Sequence, residues 1–191
     1  MTTQTTSTVL NGVDTDALSA TIDAVRGNPA LAAVTFAVDS EWVTGCHQRA
    51  STGPVLQNGQ EVQDRTARYS FESDEPAALL GTDVAASPAE YLLQALAGCY
   101  AVTFAANAAT RGITLSSLRF DLEADIDLQG FLNVNDSVRP GAQEIRVTVH
   151  AKSPDASAEQ LQALTDAVQR RSPIRDTLAG PVDVTTILAT P

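Results

Sequence analysis

Apolar and polar residues alternate over four stretches of the chain, and a period of two is typical of β-strands with one buried face. These stretches are residues 33–43, 67–72, 118–129 and 144–151. The pattern also predicts a short strand followed by a long loop over residues 47–65. A last strand is expected to begin at Val182 and Val184.

Helical spacing of apolar residues predicts three helices, at residues 14–26, 88–111 and 156–171. The central helix has the clearest boundaries. Ser87 at the N-cap, Pro88 at the first position and Glu90 at the third form a capping box, and Gly112 ends the helix. Ser172-Pro173 then predicts a short further turn or helix. This order of elements needs no parallel crossover, so we predict an α+β fold with an antiparallel sheet and helices on one face.

Composition narrows the class of protein. The 191 residues include 43% hydrophobic residues, enough for the core of one domain. There are 23 acidic against 12 basic residues, and this net charge of -11 argues against binding of nucleic acid or a membrane surface. The Thr-rich residues 1–12 do not resemble a signal peptide, so we expect a loose tail in a cytoplasmic protein. Residues 91–110 carry no charge but are rich in alanine, which favours a buried helix over a membrane span.

Cys99, in the middle of the central helix, is the first candidate for chemistry. A buried cysteine without reactivity is the common case, and a nucleophilic thiol in this position needs a nearby cation. The chain has two cysteines, which excludes a disulfide scaffold, and two histidines, which excludes a histidine-rich metal site in one chain. We therefore predict neither a metal nor a cofactor.

His47 and Arg49 follow the first long strand and lie on one side of an extended segment, where they can stabilise a thiolate or an anionic substrate. A solvent-exposed hairpin end is the equal alternative. Glu90 is better explained as the capping partner of Ser87. His150 is predicted to be at the surface. The acidic row between Asp121 and Asp127 is predicted to be a solvated face, partly paired with Arg146 or Lys152.

Four segments together resemble the OsmC/Ohr family of osmotically inducible and organic-hydroperoxide-resistance proteins. The segments are Trp42 to Arg49 (WVTGCHQR), Asp83 to Cys99 (DVAASPAEYLLQALAGC), Asp125 to Gly141 (DIDLQGFLNVNDSVRPG) and Ser172 to Val182 (SPIRDTLAGPV). The resemblance implies one OsmC-like domain over residues 33–191, preceded by a tail and extra helix at 1–32. It also implies an α+β fold with a long central helix, in an intertwined homodimer with active sites at the subunit interface.

The resemblance further implies that Cys99 attacks an organic hydroperoxide and that Arg49 holds it as a thiolate. Two positions depart from the two-cysteine peroxidases of the family. In those peroxidases the resolving cysteine precedes a proline, and the corresponding residue of this chain is Ser172. Their catalytic glutamate directly follows the proline that starts the helix. In this chain that residue is Ala89, and Glu90 comes one place later. Cys46 is a possible substitute for the resolving thiol.

Two hypotheses therefore remain open. One is a thiol-dependent peroxidase that uses Cys99, with Arg49, His47 and Glu90 as further site candidates and an external thiol as reductant. The other is a non-catalytic dimeric protein that binds a small hydrophobic ligand.

Overall fold

The structure is a computed structural model that describes residues 8–63 and 67–189. The described chain divides into two compact units: the first contains Thr8 and the described residues of Asp14–Leu92, and the second contains Val9–Val13 and residues 93–189. The elements in chain order are β1 (Val9–Leu10), β2 (Val13–Asp14), α1 (Thr15–Gly27), β3 (Val34–Thr44), β4 (His47–Gln57), β5 (Gln60–Glu61), β6 (Ser70–Ser73), α2 (Pro88–Thr110), β7 (Ser117–Asp125), α3 (Leu128–Phe131), β8 (Glu144–Lys152), α4 (Ala158–Arg171) and α5 (Pro173–Ala179), with short 3₁₀ turns at Pro29–Ala32 and Ala77–Leu79.

The first unit is built on a long antiparallel hairpin. β3 and β4 pair over their whole length, and β5 and β6 pair with β4 on its other side. Gly45 closes the hairpin with a positive φ of 54°, a conformation that a residue without Cβ adopts at little cost. Few side chains of this unit are buried, and β3 is exposed almost throughout.

A loop organised by Asp74 completes the first unit. The side chain of Asp74 is 1% exposed and accepts hydrogen bonds from the backbone N–H groups of Glu75, Thr82 and Val84 and from the Thr82 hydroxyl. These bonds hold the pKa of Asp74 at about 2, with the Thr82 hydroxyl as the largest cause. The chain can fold back this closely because residue 81 is a glycine. A Cβ at this position would clash with the Glu75 carbonyl.

The second unit has a helix-on-sheet core. Its buried apolar residues come from α2, the residues after it and α4: Leu96, Tyr100, Phe104, Ala108, Ile113, Leu164 and Val168. The alternating apolar residues of β7 and β8 pack against this cluster, while Arg146 on their outer face pairs with Glu123, Asp125 and Glu144. The predicted solvated acidic row with Arg146 across the sheet is thus confirmed from Asp121 to Asp125, whereas Asp127 is half-buried and caps α3.

Among the described residues, α2 is the one helix long and apolar enough to cross a membrane, a test that the core helix of a soluble protein also passes. Five of its residues are buried, but Val102 is 72% exposed. The expected buried helix therefore buries one face, within the core of the second unit.

The α+β class, the antiparallel strand pairing and the long helix are as predicted, but the strands form three separate sheets. The three predicted helices and the short helix after Ser172 are also confirmed. Residues 1–7 of the predicted tail, residues 64–66 and residues 190–191 lie outside the described part of the chain. The described end of the tail is not loose: an Asn11-Gly12 turn joins β1 to β2, and the Asn11 side chain bonds to the backbone of Ile113 and Leu115.

Several predicted boundaries are wrong. The strand from His47 runs to Gln57 because it pairs with β3 throughout, where a short strand and a loop were expected. The strand expected to reach residue 129 ends at Asp125, because the Asp127 carboxylate accepts the Gln129 N–H and starts α3. The strand expected over 67–72 begins at Ser70. No strand forms at Val182 or Val184, whose side chains are exposed.

Candidate functional site

Cys99 lies on α2 in the second unit and is half-buried. Its Sγ is 3.1 Å from the hydroxyl oxygen of Ser172, which donates a hydrogen bond to the sulfur. Ser172 is 1% exposed, so its hydroxyl is shielded from water, whereas Cys99 is half-buried.

The junction of two helices holds Ser172 in place. Its N–H donates to the Val168 carbonyl and ends α4, and its hydroxyl oxygen accepts the Arg175 N–H and caps α5. Ser172 therefore has a fixed hydroxyl that accepts from the backbone and donates to Cys99. The sequence identified this position only by the cysteine it lacks, and the structure brings it into contact with the thiol.

His47 and Arg49 lie together in the first unit, on one face of β4 as predicted. Both bind Glu72 of β6: His47 Nε2 is 2.8 Å from one carboxylate oxygen and Arg49 Nε is 2.8 Å from the other. We call these three residues the hairpin cluster. The hydrogen bond from Arg49, followed by that from His47, lowers the pKa of Glu72.

Strand register explains why Glu72 meets these residues. Arg49 is directly opposite Glu72 in the β4–β6 pairing, and His47 is two residues away on the same face. Tyr91 also binds this strand, because its hydroxyl donates to the Glu72 carbonyl at 2.7 Å. Glu72 was not a sequence candidate. The alternating pattern around Glu72 predicted a strand, but nothing in the sequence indicated which residues of β4 this strand would pair with.

An open groove of about 380 Å³ lies along the hairpin cluster. It is lined by Asp39, Ser40, Glu41, Arg49, Ala50, Ser51, Ser70, Phe71 and Glu72. Arg49 keeps more than half of its side chain exposed beside this groove. Its guanidinium therefore remains accessible to an anion as well as to Glu72.

Glu90 forms the predicted capping box. Its carboxylate accepts the Ser87 N–H at 2.7 Å, and its own N–H donates to the Ser87 hydroxyl oxygen at 3.2 Å. These are the contacts of a helix cap, so a catalytic role for Glu90 stays a prediction. Cys46 is exposed at the hairpin turn, where its sulfur is 3.8 Å from the Leu80 carbonyl oxygen, and its pairing with Cys99 likewise stays a prediction.

His150 lies on the outer face of β8, where it contacts the Asp121 carboxylate at 2.8 Å. This agrees with the predicted surface position. Across residues 8–63 and 67–189, no group of three or more His, Cys, Asp or Glu side chains is arranged to hold a metal ion.

Comparison with known proteins identifies the family. The model of the family described as OsmC-like protein matches residues 81–187, more than half of the chain. This span includes α2 with Cys99 and the α4–α5 junction with Ser172. The chain belongs to the OsmC-like family. No curated protein sequence matches it.

Solved structures agree with this fold. An OsmC-like protein from Mycoplasma pneumoniae is 20% identical, with a TM-score of 0.59 over 76% of this chain and 88% of that chain. An OsmC-like protein of unknown function from Vibrio cholerae is 11% identical, with a TM-score of 0.56 over 75% and 92%. An organic hydroperoxide resistance protein OsmC from Legionella pneumophila is 16% identical, with a TM-score of 0.53 over 78% and 92%.

Proposed function

We propose that this protein reduces organic hydroperoxides through Cys99, with an external thiol as reductant. The observation that carries the proposal is the half-buried Cys99 sulfur with the buried Ser172 hydroxyl bonded to it. A reactive thiol needs both access and a surrounding that favours its thiolate. Membership of the OsmC-like family and the Legionella relative's name as a hydroperoxide resistance protein support the substrate class.

The reaction has two balanced steps. The Cys99 thiolate attacks the distal oxygen of the hydroperoxide, so that the O–O bond breaks, an S–O bond forms and an alkoxide leaves and takes up a proton. Cys99 is then a sulfenic acid, and the hydroperoxide has been reduced to an alcohol. Two equivalents of external thiol return the sulfenic acid to the thiol, giving one disulfide and one water.

Ser172 limits which thiol can reduce the sulfenic acid in the second step. A serine hydroxyl cannot form a disulfide, so the residue in contact with Cys99 cannot resolve the sulfenic acid. The reductant must therefore be either a thiol from solvent or another thiol of the protein. We propose that it is an external thiol, because Ser172 occupies the place of a resolving cysteine in the family resemblance.

We propose that the hairpin cluster of the first unit binds an anion. Arg49 can bind an alkoxide or a carboxylate while Glu72 fixes its orientation. His47 shares the same carboxylate and adds a second donor.

We also propose that the working form is a homodimer. β3 exposes Phe36 and Trp42 by about three quarters, together with much of Val34 and Val38. Apolar side chains gathered on one strand are typical of an interface. Light scattering on the purified protein should give twice the chain mass, and Phe36→Glu should give the monomer. A monomeric wild-type protein would contradict this part of the proposal.

The test of the reaction is trapping of the oxidised thiol. The reduced protein is treated with one equivalent of cumene hydroperoxide and dimedone, and the labelled residue is found by mass spectrometry. We expect a dimedone adduct on Cys99 in the wild-type and Cys46→Ser proteins and no adduct in Cys99→Ser, where Cys46 is the remaining thiol. A Cys46–Cys99 disulfide would make Cys46 the resolving thiol, whereas an unmodified Cys99 would contradict catalysis and favour a binding protein for a hydrophobic ligand.

A further inference from the structure

Charged side chains of both signs lie in register on one face of the hairpin sheet. Glu41 on β3, Arg49 on β4 and Glu72 on β6 are directly opposite one another in the strand pairing, so their side chains point to the same face. The next row on this face consists of Asp39, Ser51 and Ser70. Both rows line the open groove of about 380 Å³ along the hairpin cluster.

The two carboxylates of β3 differ from the carboxylate of β6. Glu72 is bound by both Arg49 and His47. Asp39 and Glu41 are exposed, and within residues 8–63 and 67–189 their carboxylates form no ion pair and accept no side-chain hydrogen bond. The groove therefore holds two carboxylates without a cation beside one guanidinium that is more than half exposed.

This arrangement of charges selects a class of ligand. A simple anion that approaches Arg49 is repelled by Asp39 and Glu41, and a simple cation that approaches those carboxylates is repelled by Arg49. A molecule with one charge of each sign can instead place each of its charges against the opposite charge of the protein. A groove of this volume is also at the lower end of the range for small-molecule sites.

Strand register also fixes the length that such a molecule needs. Side chains directly opposite each other on paired strands begin about 4.5–5.5 Å apart, and diagonal neighbours begin about 7–8 Å apart. Glu41 is opposite Arg49, and Asp39 is diagonal to it. A cation between the two carboxylates would therefore lie roughly 5–8 Å from an anion at the guanidinium, a separation that a short chain with an ammonium at one end and a carboxylate at the other can span.

We propose that this groove binds a small zwitterion, with its carboxylate held by Arg49 and its ammonium held between Asp39 and Glu41. The inference rests on the proposed binding of an anion by the hairpin cluster, and it adds the class of molecule that carries the anion. It concerns the first unit alone and needs neither a hydroperoxide nor a reaction at Cys99.

The test compares three probes of the same length that differ in charge. The ¹⁵N-labelled protein is titrated at pH 7 and low salt with 4-aminobutyrate, butyrate and butylamine, and the backbone N–H signals of β3, β4 and β6 are followed by NMR. Exposed ion pairs contribute little, so we expect weak binding, with 4-aminobutyrate about fivefold tighter than either probe of single charge.

Two sets of substitutions then separate the ends of the ligand. In Asp39→Asn/Glu41→Gln, the affinity for 4-aminobutyrate should fall to that for butyrate, while butyrate should bind about twofold tighter because the repulsion is removed. Arg49→Gln should weaken butyrate and strengthen butylamine. A loss of structure cannot produce such opposite changes. Glu61→Gln, in an exposed glutamate of β5 outside the groove lining, is the control and should keep the affinities of the wild type.

The contradicting results are distinct from those that bear on the peroxidase. Equal affinities of the wild type for 4-aminobutyrate and butyrate would overturn the inference and leave anion binding at Arg49 standing. A preference for 4-aminobutyrate that persisted in Asp39→Asn/Glu41→Gln would also overturn it, because the ammonium would then be held elsewhere. No binding of any probe up to about 100 mM would contradict both the inference and anion binding by the hairpin cluster. Trapping of oxidised Cys99 with dimedone tests the peroxidase independently of all three probes.

Discussion

The two units differ in how far their large apolar side chains are exposed to solvent. In the second unit, Phe104 and Leu164 are fully buried between helices and strands. In the first unit, Phe36 and Trp42 on β3 are about three quarters exposed. Both units contain alternating strands of similar regularity, so strand pattern alone does not decide burial.

Partner elements account for this difference. β7 and β8 alternate between exposed and half-buried because α2 and α4 cover one of their faces. β3 has the same alternation in its sequence, but its pattern in the structure is exposed almost throughout. The second unit thus has its own core, whereas the apolar side chains of β3 are left uncovered within the first unit. We propose that a second subunit covers them.

The largest effect should come from the same substitution made in each unit. Phe104→Ala removes a fully buried ring and should lower the free energy of unfolding by about 3–5 kcal/mol. Phe36→Ala removes an exposed ring and should cost less than about 0.5 kcal/mol in the isolated subunit. Urea unfolding followed by circular dichroism and by fluorescence of Trp42, the single tryptophan, measures both.

Unfolding the Phe36→Ala and Phe104→Ala variants at several protein concentrations separates an effect on folding from an effect on association. If β3 lies in a dimer interface, the cost of Phe36→Ala should grow with protein concentration, since association stabilises the folded state by mass action. The cost of Phe104→Ala should stay large at every concentration. Equal, concentration-independent losses for the two variants would contradict the contrast between the units.

The second effect concerns the contact at Cys99. Ser172→Cys places a thiol where a hydroxyl now lies 3.1 Å from the sulfur, and oxidation should join Cys99 to residue 172. The bond would close a loop of 73 positions and should stabilise the oxidised protein by about 2–4 kcal/mol over the reduced protein. Mass spectrometry and urea unfolding with and without reductant measure these changes. Ser157→Cys, at the exposed start of α4, is the control that should form no such bond.

Sequence patterns recovered most elements of both units but few of their contacts. The helix at Pro88–Thr110 was predictable because its capping box is local, with Ser87 and Glu90 three positions apart. The extent of β4 was not, because its Gly, Ser and Gln residues gain a strand conformation from pairing with β3. The Asp127 cap that ends β7 was missed because the alternation continues past it.

Candidate residues show the same limit. His47, Arg49 and Cys99 could be proposed from residue type and resemblance. Glu72 could not, since strand register brings it to Arg49 and His47. The contact of Ser172 with Cys99 could not either, because the two residues are 73 positions apart.

The third effect tests Asp74, a densely bonded polar group of the first unit. Asp74→Asn keeps the shape of the side chain but removes the charge that its four donors stabilise, and should lower the melting temperature at pH 7 by about 5 °C. The folded pKa of about 2 lies below the ordinary value of 3.8, so this stabilisation is present above pH 4 and is lost as the pH falls toward 2. The difference between wild type and variant should therefore narrow below pH 4.

Thermal unfolding at pH 7, 5, 4 and 3 provides the measurement. Asp83→Asn is a suitable control, because Asp83 is an exposed aspartate in the same loop. A gap between Asp74→Asn and wild type that stayed constant down to pH 3 would show that the charge of Asp74 is not what holds this loop.

The smallest effect on stability should come from the hairpin cluster. Glu72→Gln removes the charge that fixes Arg49 and His47 at 2.8 Å, but the side chains of Glu72 and Arg49 are 43% and 56% exposed, and only that of His47, at 12%, is largely buried. We expect a change in melting temperature below about 2 °C, because partly exposed ion pairs contribute little. We expect a fall in hydroperoxide reduction of about threefold, since Arg49 loses the contact that orients it.

The pH dependence of this variant follows from Glu72 itself. Arg49 and His47 hold the pKa of Glu72 below its ordinary value of 4.5, so the carboxylate stays charged above about pH 5 and its contribution is lost only as the pH falls through that lowered value. The fall in rate should therefore be constant between pH 5 and pH 8 when kcat/KM is measured with cumene hydroperoxide. Glu61→Gln, an exposed glutamate of β5, serves as the control. A large loss of stability without a change in rate would assign the hairpin cluster to the fold of the first unit and contradict its proposed role in anion binding.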